Sequence, residues 1–403
     1  MPRRNKPVED QPAKRKRGSQ HFRDSKQART ASLKWLQALT EEEARAYLKS
    51  LRFHENGGEP FCPRCESTKV SAIKNRTGWW TCNRAVCRKQ FSITSGTIFH
   101  SRKVEYTWLV KLVFDFAACA KGVPALELCQ RMERQYRTIW MNLMKLREAM
   151  SARRDDVLLA GDVEMDAAWF GGSARQKNLK ADREAPENDR RLAEFQRGKR
   201  PLIVARQREG DSVMFAADDE DGVVASATLR AVLQRADNTR IFTDGGLAYK
   251  NLEWAGEHLT VDHNVGFNVD GISTNWAESA FARARRSHFG IHHNWSKTWL
   301  DFYAGEICFR EDYRRVDHKA QAEAIFKLAF AHGQSPNLKG YCEHYLLPDD
   351  QLERKEVRWW KVQEHMRRRP ARVTPARRDI GPVEVKETGV TERKGYRLPP
   401  PGE

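Results

Sequence analysis

The chain has 403 residues, enough for roughly two to three domains, and carries 71 Lys and Arg against 54 Asp and Glu, a net charge of +17. A secreted disulfide scaffold is excluded by cysteine usage, since four of the eight cysteines cluster at metal-ligand spacing and Cys119, Cys129, Cys308 and Cys342 are scattered. The most apolar run, Trp108–Ala120, is broken by Lys111 and Asp115, so no membrane span or targeting segment is expected and the chain reads as soluble and cytoplasmic.

The basic excess is uneven. Residues 60–150 carry a net +10, whereas residues 151–352 carry −5. That split suits a polyanion-binding module attached to a domain that concentrates cations.

Residues 1–31 have almost no large apolar side chains and read as a disordered basic arm, in which Lys14–Arg17 is either a phosphate-contacting patch or a solubilising tail. Residues 32–100 begin with Thr40-Glu-Glu-Glu43, a capping box that opens an amphipathic helix ending before Asn56-Gly-Gly58. Cys62-Pro-Arg-Cys65 and Cys82-Asn-Arg-Ala-Val-Cys87 follow, sixteen residues apart. Two such pairs match a structural zinc site on two knuckles, with Trp79 and Trp80 flanking the return strand. Over residues 101–155 the pattern turns helical, with Trp108, Leu112, Phe116 and Cys119 on one stripe and a break at Gly122-Val-Pro124. Two short helices and a tight turn then read as a helix-turn-helix, although any three-helix bundle shares the pattern. Its second helix would present Arg137, Asn142, Lys145 and Arg147 to double-stranded DNA.

Residues 156–330 hold the candidate chemistry. In Gly161–Gly172, Val163 and Met165 alternate with Asp162, Glu164 and Asp166, a period of two that predicts a strand with one apolar face. Asp166 is then either part of a solvated edge or a functional acid, because an unpaired buried carboxylate is costly. Arg175–Arg200 reads as a charged loop. Leu202–Ala205 and Val213–Ala216 predict a hairpin turned at Gly210, and Val223–Arg235 a helix. Arg240–Gly246 is a short strand ending on Asp244, and His258–Asp262 a fifth strand. Thr274 is placed to cap a helix whose Glu278, Phe281 and Arg285 share one face, with Asn275 on the same side. The predicted fold is a mixed α/β sheet flanked by helices, its first and fourth strands adjacent. Residues 331–403, with Arg367–Arg369, form a basic, partly disordered extension.

Three acids so remote in sequence suit a site for hard cations. Mg²⁺ takes oxygen ligands, and two such ions about 4 Å apart activate the attacking oxygen and stabilise the leaving one in phosphodiester displacement. Asp166 would bridge the ions, with Asp244 and Glu278 each holding one and Arg285 meeting a phosphate. Asn275 competes with Glu278 for the third position, the carboxylate being the better Mg²⁺ ligand.

The ordered set of Cys-x-x-Cys ribbon, paired helices, Val-Glu-Met-Asp-x-x-x-Phe-Gly-Gly172, Thr-Asp-Gly-Gly246, Thr-Asn-Trp-Ala-Glu278 and Phe289-Gly-x-His-His293 resembles bacterial insertion-sequence transposases with a zinc ribbon and an RNase H-like DDE domain. The resemblance spans Leu33 to Arg315. It implies binding of terminal inverted repeats and target DNA by a homo-oligomer, Mg²⁺-dependent cleavage, strand transfer by a 3′ hydroxyl, and work in the cytoplasm at the nucleoid. It also implies Asp166, Asp244 and Glu278 as the triad, with Arg285 where the family often has Lys. Ala167 stands where the family has an acid, which keeps open a DNA-binding regulator without chemistry or a nuclease without strand transfer. Ile272-Ser273 replaces the usual Val-His, and Arg310-Glu-Asp replaces Arg-Tyr-Asn, which argues against a DNA contact there. His263 is expected to order a loop at the site, and His292 and His293 to cap a helix or meet phosphate.

Overall fold

A computed structural model of the chain describes residues 22–171, 199–217, 222–233, 239–246, 249–250, 252–262, 266, 268, 271–335 and 337–338. Lys14–Arg17, most of the charged loop, His263, Cys342 and nearly all of the C-terminal extension lie outside these residues.

Helices α1 (Leu33–Ala38) and α2 (Glu41–Arg52) precede the strands β1 (Val70–Ala72), β2 (Trp79–Cys82) and β3 (Gln90–Ser92). The capping box of α2 forms as expected, Thr40 N–H donating to Glu43 at 2.9 Å while the Thr40 hydroxyl receives Glu43 N–H. The three strands are antiparallel with β2 in the middle, so Trp79 and Trp80 open the central strand rather than flanking it. Trp80 packs against Phe53 and Phe91, which with Cys62 and Cys82 form a small core of their own.

Helices α3 (Tyr106–Ala118), α4 (Ala125–Met132) and α5 (Tyr136–Ala152) follow. Instead of one narrow apolar stripe, α3 is buried over most of its surface, Leu109, Val110, Leu112, Val113, Phe114 and Phe116 being fully enclosed while Thr107, Lys111 and Asp115 keep one side half-exposed. So wide an apolar face places the helix well inside a core.

The second sheet comprises β4 (Asp162–Gly171), β5 (Lys199–Gln207), β6 (Ser212–Ala216), β7 (Arg240–Asp244) and β8 (Glu257–Val261), with α6 (Gly222–Val232) between β6 and β7. Helices α7 (Asn275–Gly290), α8 (Leu300–Asp312) and α9 (His318–Ala331) complete the described chain. The strand order is β6-β5-β4-β7-β8, antiparallel through β4–β5–β6 and parallel through β4–β7–β8. The first and fourth strands of this sheet are therefore neighbours, as expected. In the β5–β6 turn the left-handed residue is Glu209, at φ 59°, and not Gly210.

Strand β4 lies in the middle of the sheet and both of its faces are covered. Ala168 and Phe170 join Leu202, Val204, Met214 and Ala216 in a core with Ala277, Ala280, Phe281 and Ala284 of α7. Val163 and Met165, of the opposite parity, are buried as well. The single apolar face expected from alternation is thus replaced by burial on both sides, as in sheets covered by helices.

Two packing features depart from the divisions expected from sequence. Helix α9 contributes Ala322, Ile325, Phe326 and Ala329 to the same core as α2, α3 and α5. Residues 22–31, expected to be disordered, are tied to this core: Arg23 donates to the Ala118 carbonyl at 2.9 Å, Ala28 is buried, and its carbonyl accepts His318 N–H. Thr30 also hydrogen-bonds Asp317, the N-cap of α9.

Helix α8 joins the helical core to the sheet through buried ion pairs. Glu306 binds Arg147 of α5 at 2.6 Å and Arg310 at 2.7 Å. Glu311 binds Arg206 of β5 at 2.7 Å, and Asp312 binds Arg153 at 2.6 Å and the Ser212 hydroxyl at 2.7 Å. The Arg310-Glu-Asp run is therefore structural, its three side chains consumed inside the protein.

Candidate catalytic and metal sites

The four cysteines converge. Cys62, Cys65, Cys82 and Cys87 bring their sulfurs within 4.8 Å of one another, with Cys62 to Cys87 at 3.7 Å and Cys65 to Cys82 at 3.6 Å. A tetrahedron with Zn–S bonds of about 2.3 Å has edges of about 3.8 Å, so these separations fit one zinc ion. Without a metal the sulfurs divide: the Ser67 N–H bond to Cys65 pulls its thiol down to about 7, whereas burial pushes the Cys62 and Cys82 thiols up. The wider second knuckle closes through Cys87 N–H to the Arg84 carbonyl and a left-handed Arg88 at φ 45°.

The three acids occupy two strands and a helix of the larger sheet. The parallel β4–β7 register pairs Asp162 with Arg240 and Glu164 with Phe242, and Asp166 and Asp244 each lie two residues beyond the last of these pairs. In-register residues of parallel strands point to the same face. Helix α7 crosses that face. At one end Glu164 of β4 receives the backbone N–H groups of Trp276 at 2.7 Å and Ala277 at 3.1 Å. At the other the Phe170 ring lies 6.2 Å from Phe281 and 5.7 Å from His288. Asp166 lies between those contacts on the strand, and Glu278 lies between them on the helix.

The immediate surroundings of the acids are polar backbone. Asp166 accepts its neighbour Ala167 N–H at 2.7 Å, and Asp244 accepts Gly246 N–H at 3.0 Å. A Cβ on Gly246 would meet Asp244 Oδ1 at 2.9 Å and the Tyr249 ring at 3.3 Å, so glycine is needed for that approach. Among the described residues, only the four cysteines close to within 4.8 Å as a metal-ligating group. Asp166, Asp244 and Glu278 do not close to that distance. Their all-oxygen donor set is of the kind that suits a hard divalent cation. Asn275, at the exposed first position of α7, lies one turn before Glu278. Arg285 is exposed, 5.9 Å from the Phe281 ring on the same side of the helix.

Three expectations require correction here. Thr274 stands at the N-cap of α7, yet its side chain makes no cap bond and Glu164, from a distant strand, satisfies the helix instead. Glu164 itself was read as one of three polar residues on an alternating strand; it is fully enclosed. His292 is no phosphate ligand, because its Nε2 is buried, and burial, aided by Arg147, lowers its pKa to about 3. His293 is exposed at φ 58°.

The expected DNA-facing side chains divide. Helices α4 and α5 are joined by three residues, with Glu133 left-handed at φ 50°, and Tyr136 and Arg137 are exposed at the start of α5. Lys145 is half-buried, and Asn142 turns back to the Thr138 carbonyl at 2.8 Å. Arg147 is 1% exposed and paired with Glu306, so it is not a DNA contact. From Leu146 to Ser151 the helix is enclosed, since α8 and α9 cover what would have been its outer face.

Comparison with known proteins agrees with both halves. Residues 158–312 match the model of the ISXO2-like transposase domain, and residues 39–90 match that of the transposase zinc-ribbon domain. No curated protein and no solved structure matches the chain. Among the described residues no helix is long and apolar enough to cross a membrane.

Proposed function

Because the chain belongs to the insertion-sequence transposases with an N-terminal zinc ribbon and a DDE domain, we propose that it binds the terminal inverted repeats of its element and catalyses Mg²⁺-dependent strand cleavage and strand transfer. The observation that supports this reading is the pairing of β4 with β7 up to Glu164 and Phe242, two residues short of Asp166 and Asp244, together with the docking of the first turn of α7, which carries Glu278, on Glu164. Asp166, Asp244 and Glu278 would hold two Mg²⁺ ions, which supply charge neutralisation at the attacking and leaving oxygens. Arg285, exposed on the same helix, would meet a phosphate. Glu278 is preferred over Asn275 as the third ligand because a carboxylate binds Mg²⁺ better than an amide.

DNA recognition falls to the ribbon and to the first turns of α5. The +10 charge of residues 60–150 provides sequence-independent attraction to phosphate, and Arg137 lies on the open end of the helix that would enter a groove. Work as a homo-oligomer, with one copy at each end of the element, follows from paired repeats.

The test is a gel assay with a duplex carrying the short inverted repeats that flank the coding region, plus Mg²⁺ and a target plasmid. The expected result is a shift, cutting at the repeat end and joining to the target, with Asp166→Asn abolishing cutting and joining while sparing the shift. A shift alone from the unaltered protein would mark a DNA-binding regulator, and cutting without joining a nuclease; either outcome defeats the proposal.

A further inference from the structure

Glu164 is a carboxylate with 0% exposure in the central strand, two residues before Asp166 on the same face. One oxygen receives the N–H groups of Trp276 and Ala277, at 2.7 and 3.1 Å. The other receives Arg208 Nε at 2.8 Å. The Arg208 guanidinium also donates to the carbonyls of Gly271 and Ser273, each at 3.1 Å, and lies 3.9 Å over the Phe242 ring of β7. A single buried charge thus connects the Asp166 strand, the loop that enters α7 and the first turn of α7. Both oxygens are occupied and shielded from solvent, so Glu164 is not itself a cation ligand.

A buried carboxylate is costly unless every lone pair is well matched, and an apolar residue of similar size would pack at lower cost. Its retention here makes sense in terms of position. The first-turn N–H groups of a helix have no partner within the helix, and the Thr274 side chain, the local alternative, supplies none. The carboxylate that does so fixes where α7 begins relative to β4, and Glu278 follows Ala277 directly.

We propose that Glu164 is a positioning residue that sets the reach between Asp166 and Glu278 and thereby the divalent-cation affinity of the site. The inference rests on the reading of those acids as the ion site. Arg208 extends the same role by holding the 271–273 loop.

The experiment uses full-length, zinc-loaded protein and Mn²⁺ as the probe, titrated by electron paramagnetic resonance, with the Mg²⁺ dependence of DNA cutting measured in parallel. The unaltered protein should bind Mn²⁺ and Asp166→Asn should not. Glu164→Gln and the shorter Glu164→Asp should each need about tenfold more Mn²⁺ or Mg²⁺, the scale seen when groups that orient metal ligands are lost. At saturating Mg²⁺ their cutting rates should return to within about threefold of the unaltered protein, with gel shift unchanged. Where a Glu164 variant does not fold, Arg208→Lys carries the test, with a smaller shift in the same direction. Unchanged Mn²⁺ affinity in folded variants, or a rate loss that saturating Mg²⁺ does not restore, overturns the positioning role. Mn²⁺ binding that survives Asp166→Asn would instead overturn the three-acid reading, and the positioning role with it.

Discussion

Arg147 sits 2.6 Å from Glu306 where water does not reach, and that contact decides what its substitution does. Arg147→Ala leaves a buried carboxylate with Arg310 alone, at a cost on the order of 3 kcal/mol, to be read by denaturant unfolding. The salt dependence of DNA binding should not move. Arg137→Ala should do the reverse, sparing stability and reducing the slope of log affinity against log salt by about one. His292 adds a pH dependence whose sign follows from its burial. The unfolded chain takes up a proton near the ordinary histidine value of 6.5, while the folded protein resists it until about pH 3. Stability therefore falls as pH drops from 6.5 toward 3. For Glu306, burial alone would raise the pKa, but Arg147 and Arg310 prevail and hold it at about 2 against an ordinary 4.5, so its contribution is lost between those values. His292→Gln should flatten the upper part of this acid limb and leave the lower part, measured by urea unfolding across pH. A similar upper limb in the variant would refute the assignment.

The ribbon is the element whose stability depends most directly on a ligand. Its strands are three or four residues long and its separate core holds Phe53, Phe91 and two of the cysteines, too little apolar surface to fold alone. Chelating zinc should expose the β1–β3 amides to hydrogen exchange while the amides of β4, β5 and α3 stay protected. Loss of protection across both sheets would show that the ribbon is not an independent unit. Elements set by local chemistry were legible in the sequence: the Thr40–Glu43 capping box, the cysteine spacing, and the β5–β6 hairpin. The start of α7 was legible, but its cap was not, because the group that supplies it lies 112 residues away in Glu164. Residue spacing carries no signal for such a partner. The wide burial of α3 is not legible for a related reason: α9, which closes over it, lies some 200 residues downstream, as the bond from His318 to the Phe114 carbonyl illustrates with its separation of 204.

At the scale of the molecule, α8 joins the helical core to the larger sheet. Its acids bind Arg147 and Arg153 at α5 on one side and Arg206 and Ser212 of the sheet on the other, so α5 is fastened to the sheet that carries Asp166 and Asp244. The hairpin and the pairing of the first strand with the fourth could be read from the chain, since strand ends and turns punctuate it; that Asp166, Asp244 and Glu278 act together is the proposal made above. The packing across the expected module boundaries could not be anticipated, because buried arginines and exposed arginines look alike in a sequence. The account stands on Asp166, Asp244 and Glu278 sharing divalent cations, and the most direct measurement is the anomalous scattering of Mn²⁺ in crystals of the protein bound to a repeat end. Two peaks about 4 Å apart, each within bonding distance of Asp166 and one each beside Asp244 and Glu278, are the expected result. A map with no peak at these carboxylates, or with manganese held elsewhere while the DNA is cut, would contradict it.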